Sequence, residues 1–265
     1  MTRPGPRSLL ACLALVSAAM ISPSGSGGSP APAHVPVLVE LFTSEGCSDC
    51  PPADRLLAEL DHTQPVAGAL IIPLEEHVDY WDHQGWRDPF SSAAFTERQE
   101  AYARHFGIAG PYTPQMVVAG RTEFVGSASH TARVAIAAAA QTPGIEVGLD
   151  VMSGAPRDDS LHAAIRAAAL PADAGEGAEV YLAITEDALV SDVRAGENAG
   201  RRMEHRAVVR KFDSAGTMEP GTPFTGKMDS RIAPGWKREN LRVVALLEGV
   251  KSGKIFGAAT ASVGR

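Results

Sequence analysis

The chain has 265 residues, with 24 Lys and Arg against 31 Asp and Glu, a net charge of −7 with histidine neutral. An acidic balance argues against a nucleic-acid partner and favours solubility. The 45% apolar fraction is ample for one large or two small cores. Three cysteines are too few for a disulfide-stapled scaffold.

Arg3 and Arg7 precede an apolar run from Leu9 to about Ile21, followed by a Ser/Gly/Pro stretch and Ala31-Pro32-Ala33. Positive start, apolar centre and small-residue exit predict a secretory signal peptide over 1–33 and an exported chain, periplasmic or extracellular. The run is too short for a membrane span, so none is expected in the mature chain. Cys12 lies within it, with too few apolar residues before it for lipoprotein processing. Cleavage after Ala33 leaves Cys47 and Cys50 as the mature thiols. An exported chain whose thiols form one CxxC pair reads as a redox protein or a metal site.

Val37 to Phe42 is an apolar strand, followed by the turn Thr43-Ser44-Glu45-Gly46 and the Cys47-Ser48-Asp49-Cys50 pair. A helix is expected from about Cys47 to His62, with Leu56, Leu57 and Leu60 as its stripe and Pro51-Pro52 tolerated in its first turn. Ala69 to Leu74 reads as a buried strand. A polar, aromatic-rich loop then carries His77, Asp79, Tyr80, Trp81, Asp82, His83 and Trp86. Asp88-Pro89 has the form of a cap and first residue for a helix bearing Phe95, Tyr102 and Phe106 and ending near Gly107. Gln115 to Ala119 and Thr122 to Val125 are strands joined through Gly120, and Ser129 can cap a helix with Val134 and Ile136. This β-α-β-α-β-β-α order gives a mixed sheet with helices on its faces.

Past Pro143-Gly144 the period shortens. Ile145 to Val151, Leu161 to Leu170, Glu179 to Thr185 and Arg242 to Leu247 read as strands, although alanine-rich Ala163 to Ala169 also fits a helix. A mostly antiparallel β domain over 143–265, a small sandwich, is expected behind an α/β domain over 34–142. Its polar landmark is Gly196-Glu197-Asn198-Ala199-Gly200-Arg201-Arg202, where Glu197, Asn198 and Arg201 can form a binding edge or a self-bonded loop. His205 reads as a strand-face histidine.

The strand-turn-CxxC-helix unit, the element order and Gly107-Ile108-Ala109-Gly110-Pro111-Tyr112-Thr113-Pro114 before a strand resemble the thioredoxin fold. In that superfamily a proline, usually cis, precedes the third core strand and faces the dithiol; the resemblance places Pro114 there. The chain also resembles an exported thioredoxin-like family classed as domain of unknown function 1223. The segments that carry this are Leu41 to Asp54, His77 to Asp82, Gly85 to Phe90, Tyr112 to Val118 and Gly196 to Arg201. It departs from the pattern at Ile72-Pro73-Leu74-Glu75-Glu76, where a more apolar strand is expected to run into His77. The resemblance implies a thioredoxin-like domain over 34–142 and a thiol pair, and no established substrate.

At a helix N-terminus Cys47 is favoured as thiolate, hence nucleophile, with Cys50 resolving the mixed disulfide; Glu45 and Asp49 oppose this charge. Thr113-Pro114 offers backbone for a substrate chain. Glu45, His77, Asp79, Tyr80, Trp81, Trp86 and Tyr112 are candidates for a substrate groove. The expected activity is thiol-disulfide exchange on protein or small-thiol substrates, through a Cys47–Cys50 disulfide and without a cofactor; the redox partner is unspecified. The alternative is a non-catalytic binding module or copper-handling protein, with Cys47, Cys50, His77 and His83 as ligands.

Overall fold

Alternation along β1 (Val35–Thr43) turns Val37, Val39 and Leu41 to one face and Leu38, Glu40 and Phe42 to the other. The computed structural model describes Met1, Thr2, Gly5 and residues 34–142, 144–155 and 158–263. Packing separates Met1–Ala31 from Pro32–Arg265. In the first unit Met1, Thr2 and Gly5 belong to no helix or strand; the rest of the expected signal peptide at 1–33, including Cys12, lies outside the described residues. Among the described residues no helix is long and apolar enough to cross a membrane.

β1 runs parallel to β2 (Ala69–His77) and antiparallel to β3 (Gln115–Val118), which forms a hairpin with β4 (Thr122–Val125). α1 (Pro51–Thr63) and α3 (Ser129–Ala140) cover one face, setting Leu56, Leu57, Leu60 and Ile136 against Val37, Val39, Leu41 and Ile71. α2 (Ala93–Phe106) covers the other with Phe95 and Tyr102 on Leu38, Phe42, Ile72 and Leu74. Each such buried aliphatic side chain contributes about 1.5–3 kcal/mol. The order matches the sequence reading, while the helix starts differ. α1 starts at Pro51 with Cys50 as its cap, rather than at Cys47, because the two prolines fit first-turn positions that lack intrahelical partners. α2 is capped by Ser92, whose Oγ accepts from the Ala94 N–H, and not by Asp88, whose carboxylate is bound elsewhere. Ala128 precedes α3 without a side-chain cap, and Val134 is 55% exposed while Ile136 is buried.

The later strands are β5 (Val147–Ser153), β6 (Ser160–Ala167), β7 (Ala178–Glu186), β8 (Leu189–Asp192), β9 (Arg202–His205), β10 (Val208–Met218), β11 (Phe224–Arg231), β12 (Leu241–Gly249) and β13 (Ile255–Ser262). The alanine-rich segment is strand, in β6. The large sheet has the order β13-β12-β7-β10-β2-β1-β3-β4; β11-β6-β5 and β8-β9 form two smaller antiparallel sheets. Leu161, Ala163 and Ile165 of β6 meet Val180, Leu182, Ile184, Val243 and Ala245 in a second core, between the β11-β6-β5 sheet and the large sheet. The large sheet is continuous past residue 143: β10 joins β2 in parallel at Val208–Glu75, and the Glu75 N–H donates to the Ala207 carbonyl at 2.9 Å.

β2 continues through Pro73 and both glutamates to His77, all buried. Its period of two sends Glu76 toward α2 and Glu75 and His77 toward α1. On the α2 side Arg98 meets Glu40 at 2.5 Å, Glu248 at 2.7 Å and Glu76 at 3.5 Å. One cation thus serves carboxylates from β1, β2 and β12, and burial raises the carboxyls of Glu40 and Glu76.

Candidate functional site

Cys47 and Cys50 are joined in a disulfide at the start of α1. Both are buried, at 1% and 0% exposure, while Ser48 and Asp49 between them are exposed. The turn is closed by the Cys47 N–H on the Ser44 carbonyl at 3.1 Å and the Cys50 N–H on the Cys47 carbonyl at 3.2 Å. Pro114 follows a cis peptide bond and is buried before β3. A Cβ on Gly126 would stand 3.1 Å from both the Pro114 and Ala53 Cβ atoms and 2.7 Å from Leu41. Absence of that side chain lets Pro114 and the first turn of α1 close on each other.

The 196–201 loop binds the same turn from the far end of the sequence. Asn198, fully buried, donates from Nδ2 to the Glu45 carbonyl at 2.9 Å and the Cys47 carbonyl at 2.8 Å. Glu197, exposed, is bonded by the Ser48 side chain and accepts from the Ser48 N–H at 3.0 Å, and the two together lower its carboxyl pKa. Gly196 has φ +74° and a vacant Cβ position 3.2 Å from Trp86, a conformation that suits glycine. Arg201 is exposed and lines an open cleft of about 430 Å³ with Pro51, Arg55 and Arg202.

The expected aromatic loop divides. Trp81 Nε1 donates to Thr113 Oγ1 at 2.8 Å and Trp86 Nε1 to Glu45 Oε2 at 2.7 Å, so both tryptophans brace the dithiol region. Asp79 and Tyr112 are engaged elsewhere, whereas Tyr80 bonds Thr113 as well as Gln99. Asp79 accepts from Thr96 Oγ1, Tyr80 donates to Gln99 and Tyr112 to Glu123. Burial raises the Tyr80 hydroxyl to about 12. His83 is exposed, His77 is buried at the end of β2, and the two sulfurs bond to each other.

Beneath the turn lies a polar cluster largely unforeseen from sequence. His77 Nδ1 is 2.7 Å from Asp88 Oδ2, and its Nε2 is 3.4 Å from Glu75 Oε1. His205 Nδ1 is 2.8 Å from the same Glu75 oxygen, and its Nε2 is 3.2 Å from Glu45 Oε1. Burial pulls the His77 ring down, but Asp88 and Glu75 outweigh it and hold the ring well above the usual imidazole range. His205 is likewise lowered by burial and lifted by Glu75 and Glu45, to about 10. Burial raises the Glu75 carboxyl while the two histidines more than reverse this, bringing it to about 2. Asp88 is held below the carboxylate range by His77 and by backbone N–H groups, against burial. Asp54, one helical turn after Cys50, is driven up to about 7 by burial and the Glu75 charge, although Thr43 Oγ1 donates to it at 2.6 Å.

Glu75, Asp88, Asp54 and His205 are therefore additions to the sequence-derived set. Two consecutive glutamates inside an otherwise apolar strand were the available clue; the pairing of His205 with Glu75 depends on the β9–β10 turn and left no local mark.

A crystal structure of an Agrobacterium tumefaciens protein is similar to this chain, with a TM-score of 0.68 and 28% identity, covering 89% of this chain and 97% of that one. HBP35 of Porphyromonas gingivalis has a TM-score of 0.64 at 17% identity, over 87% of this chain and 76% of that one, a likeness of fold alone. No curated protein matches the chain significantly. The family described as "Protein of unknown function (DUF1223)" matches residues 38–248, which include the disulfide turn, the tryptophans, Pro114, the 196–201 loop and His205. The chain belongs to the DUF1223 family.

Proposed function

We propose that the protein is an exported thiol-disulfide oxidoreductase with a thioredoxin-like arrangement of its first half. The observation that carries this reading is the disulfide between Cys47 and Cys50 at the start of α1, a helix whose first turn meets Gly126 through Ala53, as Pro114 also does. A substrate thiolate attacks the Cys47 sulfur, breaks the Cys47–Cys50 bond and releases Cys50 as thiolate. A second substrate thiolate then attacks the mixed disulfide, forms the substrate disulfide and expels Cys47 as thiolate. Two electrons pass from substrate to protein; the reverse sequence reduces a substrate disulfide. Electrons move between sulfurs, so exchange itself requires no cofactor.

The Asp54 N–H donates to the Cys50 carbonyl at 3.1 Å, and its buried carboxyl, raised to about 7 by burial and the Glu75 charge, can store a proton beneath the turn at neutral pH. The cleft beside Pro51, where Arg55, Arg201 and Arg202 outnumber Asp54 and Glu204 on the walls, favours protein segments or small thiols that carry carboxylates. Arg3, Arg7 and the apolar run after them support export.

Burial of both sulfurs favours one competing reading, a binding module with a static disulfide. The two are separated by trapping. Cys50→Ser should accumulate mixed disulfides through Cys47, and Cys47→Ser should not. Identical behaviour of the two variants with no trapped partner would overturn the exchange reading.

A further inference from the structure

Glu75, His77 and His205 converge within the fold at a place that thiol exchange does not use. Alternation along β2 puts Glu75 and His77 on one face, and the turn from β9 into β10 lays His205 over them. In that turn Ala207 adopts φ +59°, a conformation uncommon outside glycine, held by its N–H on Asp187 Oδ1 and its carbonyl on the Glu75 N–H. All three side chains are buried, at 1%, 0% and 3% exposure.

We propose that Glu75, His77 and His205 hold one first-row divalent metal ion, with zinc as the ion this nitrogen and oxygen donor set suits. One donor atom from each lies within 4.8 Å of the others. The Glu75 Oε1 to His77 Nε2 separation of 3.4 Å matches the edge of a tetrahedron with 2.0–2.1 Å bonds, about 3.3 Å. The corresponding 2.8 Å to His205 Nδ1 opens by a small side-chain shift.

Two further observations point to an ion. His77 Nε2 is buried and faces the Glu75 carboxylate at 3.4 Å, longer than a well-formed hydrogen bond. Each imidazole also has its other nitrogen on a separate carboxylate, Asp88 for His77 and Glu45 for His205. Metal-bound histidines are oriented by outer carboxylates in this way. Three buried carboxylates face the two imidazoles, and two ring protons or one divalent cation can offset two of their negative charges. The site uses no thiolate, so it is compatible with a closed Cys47–Cys50 disulfide and independent of whether that disulfide exchanges.

The test uses the purified full chain, oxidised and stripped with chelator, with Zn²⁺ supplied to the native protein and, because the ligands are buried, during refolding. One equivalent of zinc should bind by elemental analysis, raise the melting temperature, and persist when Cys47 and Cys50 are both replaced by serine. His205→Gln should weaken binding at least 100-fold, and Asp88→Asn by about 10- to 100-fold. Should these variants fail to fold, X-ray absorption of the zinc-loaded wild type decides, with a nitrogen and oxygen shell free of sulfur expected. A folded wild type that takes up no zinc by either route, undiminished binding in folded His205→Gln, or sulfur in the shell would overturn the proposal.

Discussion

Asn198 and Cys47 are 151 residues apart in sequence, yet the Asn198 side-chain amide donates to the Cys47 carbonyl at 2.8 Å and with the same nitrogen to the Glu45 carbonyl. The conformation of the CxxC turn is therefore set partly by a loop from the second half of the chain.

Asn198→Ala leaves both carbonyls without this donor in a buried setting. Unmade buried hydrogen bonds cost about 1–3 kcal/mol, so stability should fall by that amount in denaturant titration. Reduction of the disulfide by dithiothreitol should become faster as the turn loosens. Unchanged stability and reduction rate would contradict the bracing role of Asn198.

Trp81→Phe removes the indole donor to Thr113 and should slow exchange with a protein substrate while leaving the reduction potential in place. Asp79→Asn alters the contact with Thr96 on α2 and should leave the exchange rate unchanged. Stopped-flow rates for the two variants check the distinction; equal slowing in both would contradict it.

Asp54 gives a pH dependence of defined sign. Its folded pKa of about 7 lies above the ordinary 3.8, so the folded state favours the protonated carboxyl. The resulting stabilisation is complete below about pH 4 and is lost as the pH rises through about 7. Asp54→Asn mimics the neutral group and should flatten that decline. Above about pH 8 it should be more stable than wild type by on the order of 2–4 kcal/mol. Parallel urea titrations across this range that show the same slope for both proteins would contradict the assignment.

Arg98→Met removes the cation facing Glu40, Glu76 and Glu248. Breaking a buried pair by removing one partner costs about 3–5 kcal/mol. Burial already raises the Glu40 carboxyl and holds that of Glu76 well above its ordinary value, so the loss should be smaller at about pH 5, where protonation relieves the repulsion, than at about pH 8. A pH-independent loss would show that packing, not charge, is what Arg98 supplies.

The elements of residues 34–142 were legible because their periods are strong. Leu56, Leu57 and Leu60 mark one helical stripe, and the Val37 to Phe42 run marks a strand buried on both faces. Helix starts were harder, since Asp88-Pro89 has the local form of a cap, but the Asp88 carboxylate is taken by His77 and the Glu45 N–H. Around the dithiol, Glu45, Trp81, Trp86, Glu197 and Asn198 were named from their types and spacing. Glu75 and His205 were not, because their roles arise from one parallel pairing at Val208–Glu75, a long-range contact with no periodic trace. In the second half, β6 and β7 showed their alternation, whereas β10 carries register shifts against β7 that break its period.

The reduction potential of the Cys47–Cys50 pair tests the central claim most directly, measured in the purified protein against glutathione and dithiothreitol buffers with thiol trapping. A pair that exchanges should fall between thioredoxin and the strong oxidants, roughly −270 to −120 mV. A value well below about −300 mV would identify a structural bridge and contradict the account.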